Sequence, residues 1–395
     1  GAGAWGAGGA SAPASDARAP GCGRGRGHAL PTAEPSKHGR GFPRADLGRT
    51  RADPPPGRRD GRHEWWRDRA FALPARRSPG ADNSRMDIPA TLNALLAQRA
   101  ATAPAANALL NAEGRAISYA ELDGRVRGLA QELAGRGATR STRIAVVLPN
   151  GPDMALAFLA AAGRGACAPL NPAFKPSEFE YYLADLGARF VLGGRDTPTP
   201  VRAVASAMGV GVVEVDPLFR PLPTRSIAEG PASPRHAEPE PGPGDVALVL
   251  HTSGTTGRPK IVPLTHANLV ASALGIAAHL ALGPEDRCLN VMPLFHIHGL
   301  VGALLSTLAS GGSLVCTPGF DERRFFGWVG SMRPSWYTAV PTIHQSVLAA
   351  GAGYAREAPG HRFRFVRSSS AALAPRTLAA LEALTGAPVV EAYGM

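Results

Sequence analysis

Residues 245–269 read DVALVLHTSGTTGRPKIVPLTHANL, and this stretch indicates how the chain is built. Its apolar beginning predicts a buried strand from Val246 to Leu250, and a helix is predicted from Thr265 to Leu282. Between the two lies a loop of glycine and small hydroxyl residues that ends on Lys260. The stretch therefore predicts a strand, a loop and a helix in direct succession.

The loop contains the groups that bind a polyphosphate. Gly254 and Gly257 allow sharp turns that direct backbone N–H groups at phosphate oxygens. Lys260 contributes a positive charge. Hydroxyl donors come from Ser253, Thr255 and Thr256. The spacing G-x-x-G-x-x-K differs from the Walker A pattern G-x-x-x-x-G-K-[ST]. We therefore predict a phosphate-binding loop of another type rather than a merely flexible segment.

On both sides of the loop the sequence alternates between strand and helix patterns. Capping-box patterns begin at Ser118 and Ser177 and predict helices to about Leu133 and Leu186. Further helices are predicted at 153–162 and after Gly299, Pro341 and Pro375. Further strands are predicted at 143–148, 189–192, 211–215, 287–291, 335–340, 363–367 and 388–392. This rhythm predicts an α/β fold with a mostly parallel sheet covered by helices.

Two segments lack this rhythm. Residues 1–85 are rich in Gly, Ala, Pro and Arg, and they bury too little apolar surface to offset the entropy of ordering. We expect a disordered leader there, with Met86 as a plausible true start of the protein and residues 86–395 as the folded domain. Residues 217–244 are rich in Pro, Glu and Gly, which predicts a surface linker. Because the chain stops at Met395 directly after a predicted strand, we expect that domain to be incomplete.

The net charge of +11 belongs mainly to the leader. Residues 1–85 hold sixteen of the 42 Lys and Arg and eight of the 31 Asp and Glu, so they carry +8 of the total. The folded part is nearly neutral for its length, and we therefore predict no nucleic-acid groove in it.

Cysteine usage and hydropathy narrow the class of protein. The four cysteines are far apart and include no C-x-x-C pair, which favours a reduced, intracellular protein over a disulfide framework or a zinc site. No uninterrupted run of about 18 apolar residues exists, so we predict no membrane span. A cytoplasmic location is expected, with a peroxisomal one left open.

Two later segments also carry candidate site residues. Residues 290–299 (NVMPLFHIHG) follow a strand and place His296 and His298 at its carboxyl end, where α/β folds bind ligands. Hydrogen-bonded histidines and a metal pair both fit H-x-H, but no third ligand has suitable spacing, so no metal site is predicted. Residues 367–375 (RSSSAALAP) predict a tight turn of small residues.

The segments, in this order, resemble the motifs of the acyl-adenylate-forming superfamily, which includes acyl-CoA synthetases, peptide-synthetase adenylation domains and luciferases. The stretch from His251 to Lys260 resembles its signature loop, which grips the ATP phosphates. Ile261 departs from the pattern, because many members have Gly there. The resemblance implies that ATP is contacted by Thr252, Ser253, Gly254, Thr255, Thr256, Gly257 and Lys260.

The resemblance also implies roles for the later motifs. Lys260 and His296 correspond to catalytic positions, the His lying beside the acid and the adenylate. His298 and Ser370 correspond to positions near the acid, and typical members have Gly in place of Ser370. Nucleotide contacts are further implied for Ser370, Ala371, Glu391, Ala392, Tyr393 and Gly394, with the tyrosine stacking on adenine.

The activity implied is that of an ATP-dependent acid–CoA ligase, which forms an acyl-adenylate and then an acyl-CoA thioester with ATP, Mg²⁺ and CoA. Its partners are small molecules only. The fold implied is the pair of stacked α/β subdomains of the superfamily's large N-terminal domain, truncated before the small C-terminal domain. A chain of this extent is expected to be inactive by itself.

Several stretches resemble the oxalate–CoA ligase branch: residues 168–185, 336–345 and 389–395. This likeness, together with the polar His298 and Ser370, predicts oxalate or another small dicarboxylate as the acid. Gly299 and Gly302 instead leave room for a longer acid. The alternatives are a ligase for fatty or aromatic acids, an adenylation domain that loads a carrier protein, and a truncated, non-catalytic nucleotide-binding protein.

Deleting residues 1–85 should leave the melting temperature and the nucleotide affinity of the remaining protein unchanged, because the composition of the leader cannot build a core. The measurement is thermal unfolding and ATP binding of the two forms side by side. A loss of several degrees would show that the leader packs on the folded domain.

Overall fold

The computed structural model of the protein describes residues 88–219, 239–251 and 259–392. Its strands are β1 (Asn107–Asn111), β2 (Ala116–Ser118), β3 (Arg143–Val147), β4 (Ala166–Pro169), β5 (Phe190–Gly193), β6 (Gly211–Glu214), β7 (Val246–His251), β8 (Ile261–Thr265), β9 (Arg287–Asn290), β10 (Ser313–Cys316), β11 (Trp336–Ala339), β12 (Phe365–Ser369) and β13 (Val389–Ala392). The predicted leader and most of the predicted linker lie outside the described residues.

The helices alternate with these strands along the chain. They are α1 (Leu92–Thr102), α2 (Tyr119–Gly135), α3 (Pro152–Ala162), α4 (Pro176–Leu186), α5 (Val201–Ala207), α6 (His266–His279), a π-helix (His298–Leu305), α7 (Ser306–Ser310), α8 (Phe325–Met332), α9 (Pro341–Ala349), α10 (Ala352–Glu357) and α11 (Pro375–Thr385). No helix within the described ranges has both the length and the apolar character needed to cross a bilayer.

The strands form two sheets. One has seven strands in the order β13-β12-β11-β9-β10-β1-β2, and the other has six in the order β6-β5-β3-β4-β7-β8. Neighbouring strands are parallel except at the edge strands β2 and β8. The predicted α/β class is confirmed, but the strand rhythm alone predicted one sheet. The two subdomains implied by the family resemblance describe the architecture correctly.

The largest apolar cluster lies between the sheets. Helix α3 contacts β1 of the first sheet and β3, β4 and β7 of the second. Every residue from Met154 to Ala162 is buried, and five of these nine residues are alanine. Small side chains let the helix approach strands on both sides, and this close approach joins the subdomains into one core.

Local sequence signals explain where the helices begin. The Ser118 hydroxyl accepts a hydrogen bond from the Glu121 backbone N–H and caps α2, as predicted. The prediction for α4 was wrong by two residues: the helix is capped at Lys175, whose N–H donates to Glu178, and Ser177 lies in the first turn. Pro176 causes the shift, because its fixed φ and missing N–H suit the first helical position.

The region after the candidate phosphate loop differs from the prediction. The loop does not lead directly into a helix: Ile261–Thr265 forms β8, which pairs antiparallel with β7, and Ile261 lies opposite His251. Pro263 argues against a central strand, but β8 is an edge strand and tolerates it. Thr265 then caps α6 with its side chain. The loop is therefore closed by a β-hairpin.

Candidate active site

A cavity of about 860 Å³ lies at the carboxyl ends of β7, β9 and β12, between α6 and the π-helix. Its lining includes Asn268, Ser272, His296, His298, Arg367 and Ser370. The carboxyl edge of parallel strands is the usual ligand position in α/β folds. The structure thus brings together the two histidines and the small-residue turn that the sequence singled out.

The floor of the cavity is a chain of hydrogen bonds. Arg367 Nη1 donates to Thr338 Oγ1 at 3.1 Å. Thr338 Oγ1 lies 2.6 Å from His298 Nε2, and His298 Nδ1 lies 3.0 Å from Ser370 Oγ. The strand register supports this arrangement, because Thr338 of β11 lies directly opposite Arg367 of β12. Both ring nitrogens of His298 are therefore engaged by hydroxyl groups.

The His298 imidazole is neutral at physiological pH. Burial, and after it the positive charge of Arg367, lowers its pKa to about 3. A neutral ring donates from one nitrogen and accepts at the other, so two tautomers satisfy the chain. When Thr338 donates to Nε2 and Nδ1–H donates to Ser370, the Ser370 proton is left to donate into the cavity.

The turn after β12 holds its backbone in an unusual conformation. Ser370 has φ of 75°, the left-handed region in which glycine is common. A serine there costs on the order of 1 kcal/mol, which is consistent with the Gly found in typical members at this position. The turn is shorter than the predicted 367–375, since Arg367, Ser368 and Ser369 belong to β12.

Two of the residues predicted to contact the nucleotide, Glu391 and Ala392, lie on β13 beside this turn. The Glu391 carboxylate accepts a hydrogen bond from the Leu373 N–H at 2.8 Å, which ties β13 to the turn. Ala371 is exposed, and Ala392 ends β13 and is half-buried. Tyr393 and Gly394 lie outside the described residues. The contacts of all five residues with a nucleotide remain predictions.

The π-helix determines how His298 faces the floor. Its first turn packs closely on the preceding segment, since a Cβ at Gly299 would lie 2.3 Å from the Pro293 carbonyl oxygen. Gly302 lines the cavity instead, and a Cβ there would lie 3.0 Å from Arg367 Nη1. Of the two glycines that were expected to leave room for a longer acid, only Gly302 lines the cavity.

His296 lies at the cavity wall and is more accessible than His298. Its ring is exposed and packs against Phe295, and partial burial lowers its pKa. The two histidines do not form a chelating pair, because His298 uses both nitrogens within the floor. Among the described residues, no group of three His, Cys, Asp or Glu side chains is placed to hold a metal ion.

The start of the candidate phosphate loop is held at the cavity by an aromatic contact and a hydrogen bond. His251 Nε2 lies 3.0 Å from Asp185 Oδ2, and Tyr182 packs edge-on against the His251 ring at a centroid distance of 4.7 Å. Lys260 is exposed directly before β8. The predicted residues Thr252, Ser253, Gly254, Thr255, Thr256 and Gly257 lie outside the described residues.

Three residues of this region were not predicted: Thr338, Asp185 and, as a site residue, Arg367. Each lies in a segment whose likeness to the family was noted, and the arginine opens the motif 367–375. No local signal marks Thr338 or Asp185, because their importance comes from neighbours far away in sequence. For Arg367 the signal that could have been followed is an arginine at the end of a predicted strand, directly before a turn of small residues.

Comparison with known proteins identifies the family to which these motifs belong. The model of the AMP-binding enzyme family matches residues 96–395. The chain belongs to the AMP-binding enzyme family. It is 37% identical over 311 residues to an oxalate–CoA ligase of Arabidopsis thaliana, covering 77% of this chain and 60% of that protein. It is 37% identical over 314 residues to a sulfoacetate–CoA ligase of Cupriavidus necator, covering 77% and 59%.

The solved structures give the same result. ATP-bound MatB from Rhodopseudomonas palustris matches with a TM-score of 0.66 at 31% identity, covering 78% of this chain and 60% of that one. The chain of the AMP-binding enzyme thus spans about three fifths of the length of these relatives. The predicted resemblance to acid–CoA ligases, and to oxalate–CoA ligases in particular, is confirmed.

The neutral His298 predicts a dependence of stability on pH. Below pH 6.5 the unfolded chain takes up a proton that the folded ring accepts only near pH 3. The free energy of unfolding should therefore fall as pH falls from about 6.5 to 3, by up to about 1.4 kcal/mol per pH unit from this group. His344, whose pKa burial lowers to about 4, adds to the same slope.

We expect His298→Gln to reduce this slope, whatever its effect on stability at pH 7.5. Urea unfolding between pH 4.5 and 7.5 measures it. His279→Gln is the matched control, because this histidine is exposed on α6. An unchanged slope in His298→Gln would show that the pKa of His298 is the same in the folded and the unfolded protein.

Proposed function

We propose that the protein is an ATP-dependent acid–CoA ligase that makes an acyl-adenylate and then transfers the acyl group to CoA. One observation carries the proposal: a single cavity is bordered by the hairpin of the phosphate loop, by His296 and by the turn at Ser370. These are the three segments whose resemblance to the family implies contacts with phosphate, acid and adenine. Family membership and the relatives' activities support it.

The proposed chemistry has two steps. A carboxylate oxygen attacks the α-phosphorus of ATP, forming the acyl–phosphate bond and releasing pyrophosphate. The CoA thiolate then attacks the acyl carbon, and AMP leaves. In the first step negative charge grows on the phosphoryl oxygens, and Lys260 with the backbone N–H groups of residues 252–257 would stabilise it. His296, at the cavity wall, would position the acid.

Mg²⁺ is expected to accompany ATP in this reaction. The described residues do not fit a protein-built magnesium site, because no cluster of carboxylates or other ligands is placed for one. We therefore assign no residue to the ion and no step of the reaction to it.

We further propose a small acid with two anionic groups as the substrate, oxalate being the first candidate. The relatives named for oxalate and sulfoacetate support this, since both acids are short and doubly charged. The polar character of His298 and Ser370 gives less support to a dianion than the sequence suggested. His298 and Ser370 bond to each other, so an alkyl chain would not leave both without partners.

Lys260→Ala should lower pyrophosphate release by the full-length protein about 100-fold, the typical effect of removing one charge-stabilising group. Its melting temperature should not change, because Lys260 is exposed. Arg136→Ala, which removes an exposed basic residue at the end of α2, is the control. If Lys260→Ala and the control release pyrophosphate equally fast, the phosphate-binding role of this lysine is wrong.

A panel of acids tests the substrate. We expect kcat/KM of the full-length protein for oxalate to exceed the values for octanoate and 4-coumarate by at least about tenfold, the equivalent of roughly 1.4 kcal/mol. Malonate and sulfoacetate complete the panel. A preference for octanoate or 4-coumarate would refute the small-dianion proposal and leave the adenylation chemistry intact. No pyrophosphate release with any acid would refute the ligase proposal itself.

A further inference from the structure

Arg367 is a buried cation that the fold itself does not neutralise. Its side chain lines the cavity floor, yet the residue is only 7% exposed. Within the described ranges its recorded hydrogen-bond partner is the neutral Thr338 hydroxyl, and no carboxylate lies within ion-pair distance. Burial lowers its pKa, but a guanidinium remains charged at neutral pH.

A nearby arginine, Arg364, is a buried cation that is paired within the protein. Arg364 is also largely buried, and its Nε and Nη2 atoms each lie 3.0 Å from a different carboxylate oxygen of Asp286. The pair is bidentate and satisfies both charges within the protein. Arg367 has no such partner among the described residues, although it lies only three positions further along the chain.

The groups around Arg367 are neutral and leave space on its cavity side. His298 is uncharged, and Thr338 and Ser370 contribute neutral hydroxyl groups. Gly302 has no side chain that could cover the guanidinium. An unpaired buried charge is unfavourable unless a ligand or water compensates it. An anion that enters the cavity would find a planar guanidinium and, in one tautomer of His298, the Ser370 hydroxyl as donors.

We propose that Arg367 binds the second anionic group of the acid substrate, a carboxylate or a sulfonate, while the first carboxylate is left to react with ATP. This inference rests on the proposed ligase function and adds the residue that selects the substrate class. A guanidinium presents its donors in a fork that matches two oxygens of such a group. Neutral fatty or aromatic tails would instead cover the charge without pairing it.

Gly302 supplies a second way to perturb the same contact. A Cβ at this position would lie 3.0 Å from Arg367 Nη1 and 3.4 Å from His298 Cδ2. Gly302→Ala should therefore displace the guanidinium while the charge is kept. Its effect on doubly charged acids should resemble that of changing Arg367 directly.

The test compares an acid with two anionic groups and an acid with one, in the full-length protein. Oxalate and propionate are the probes, and kcat/KM is measured for the wild type, Arg367→Gln, Arg367→Lys and Gly302→Ala. Arg367→Gln should lower the value for oxalate at least about 30-fold and that for propionate less than about threefold. Arg367→Lys should retain part of the selectivity, because it keeps the charge and loses the fork.

Arg202→Gln, which removes an exposed arginine of α5, is the matched control and should keep the wild-type ratio. Equal losses for oxalate and propionate would overturn the proposal and make Arg367 a structural residue. Unchanged selectivity in all three cavity variants would also overturn it. If Arg367→Gln does not fold, Arg367→Lys and Gly302→Ala still decide the question. Absence of activity with every acid in the wild type would refute the ligase function and this inference together.

Discussion

The hydroxyl of Thr338 connects the parts that form the cavity floor. It belongs to β11, accepts a hydrogen bond from Arg367 of β12, and lies 2.6 Å from His298 of the π-helix. Through His298 the chain reaches Ser370, whose left-handed backbone begins the turn toward β13. Two strands, a helix and a turn thus share one set of hydrogen bonds. Because Thr338 is fully buried, water cannot replace a lost partner.

Within this network the positive charge lies on Arg367, and the other members form hydrogen bonds as neutral groups. His298 stays neutral because it is buried and because Arg367 lies nearby, so the floor has one permanent cation and two hydroxyl groups. The neutral imidazole of His298 links the hydroxyls of Thr338 and Ser370 by hydrogen bonds without adding a second positive charge. Apolar side chains such as Leu250 and Val301 line the cavity together with a small number of polar groups, which is the usual composition of a site that fixes the orientation of a small ligand.

The packing of the two subdomains brings this floor and the hairpin β7–β8 to the same cavity. Helix α3 packs tightly between the sheets, and α6 runs from the hairpin β7–β8 along the cavity. His251, at the end of β7, is held by Asp185 and Tyr182 of α4. The strand before the candidate phosphate loop therefore ends at an anchored residue, and the strand after the loop is an edge strand.

Local features could be predicted from the sequence: the cap at Ser118, most strand positions, and the order of the three motifs that indicated the family. Such signals act within a few residues, so they can be read without the fold. The fold was needed to show that β8 is an edge strand, that Lys175 caps α4, and that the polar groups of the floor bond to one another. Thr338 and His298 are 40 residues apart in the chain, and Arg367 is 29 beyond Thr338. Contacts between residues so far apart in the chain form only when the strands pair in register. The sequence therefore could not show whether a carboxylate neutralises the buried arginine.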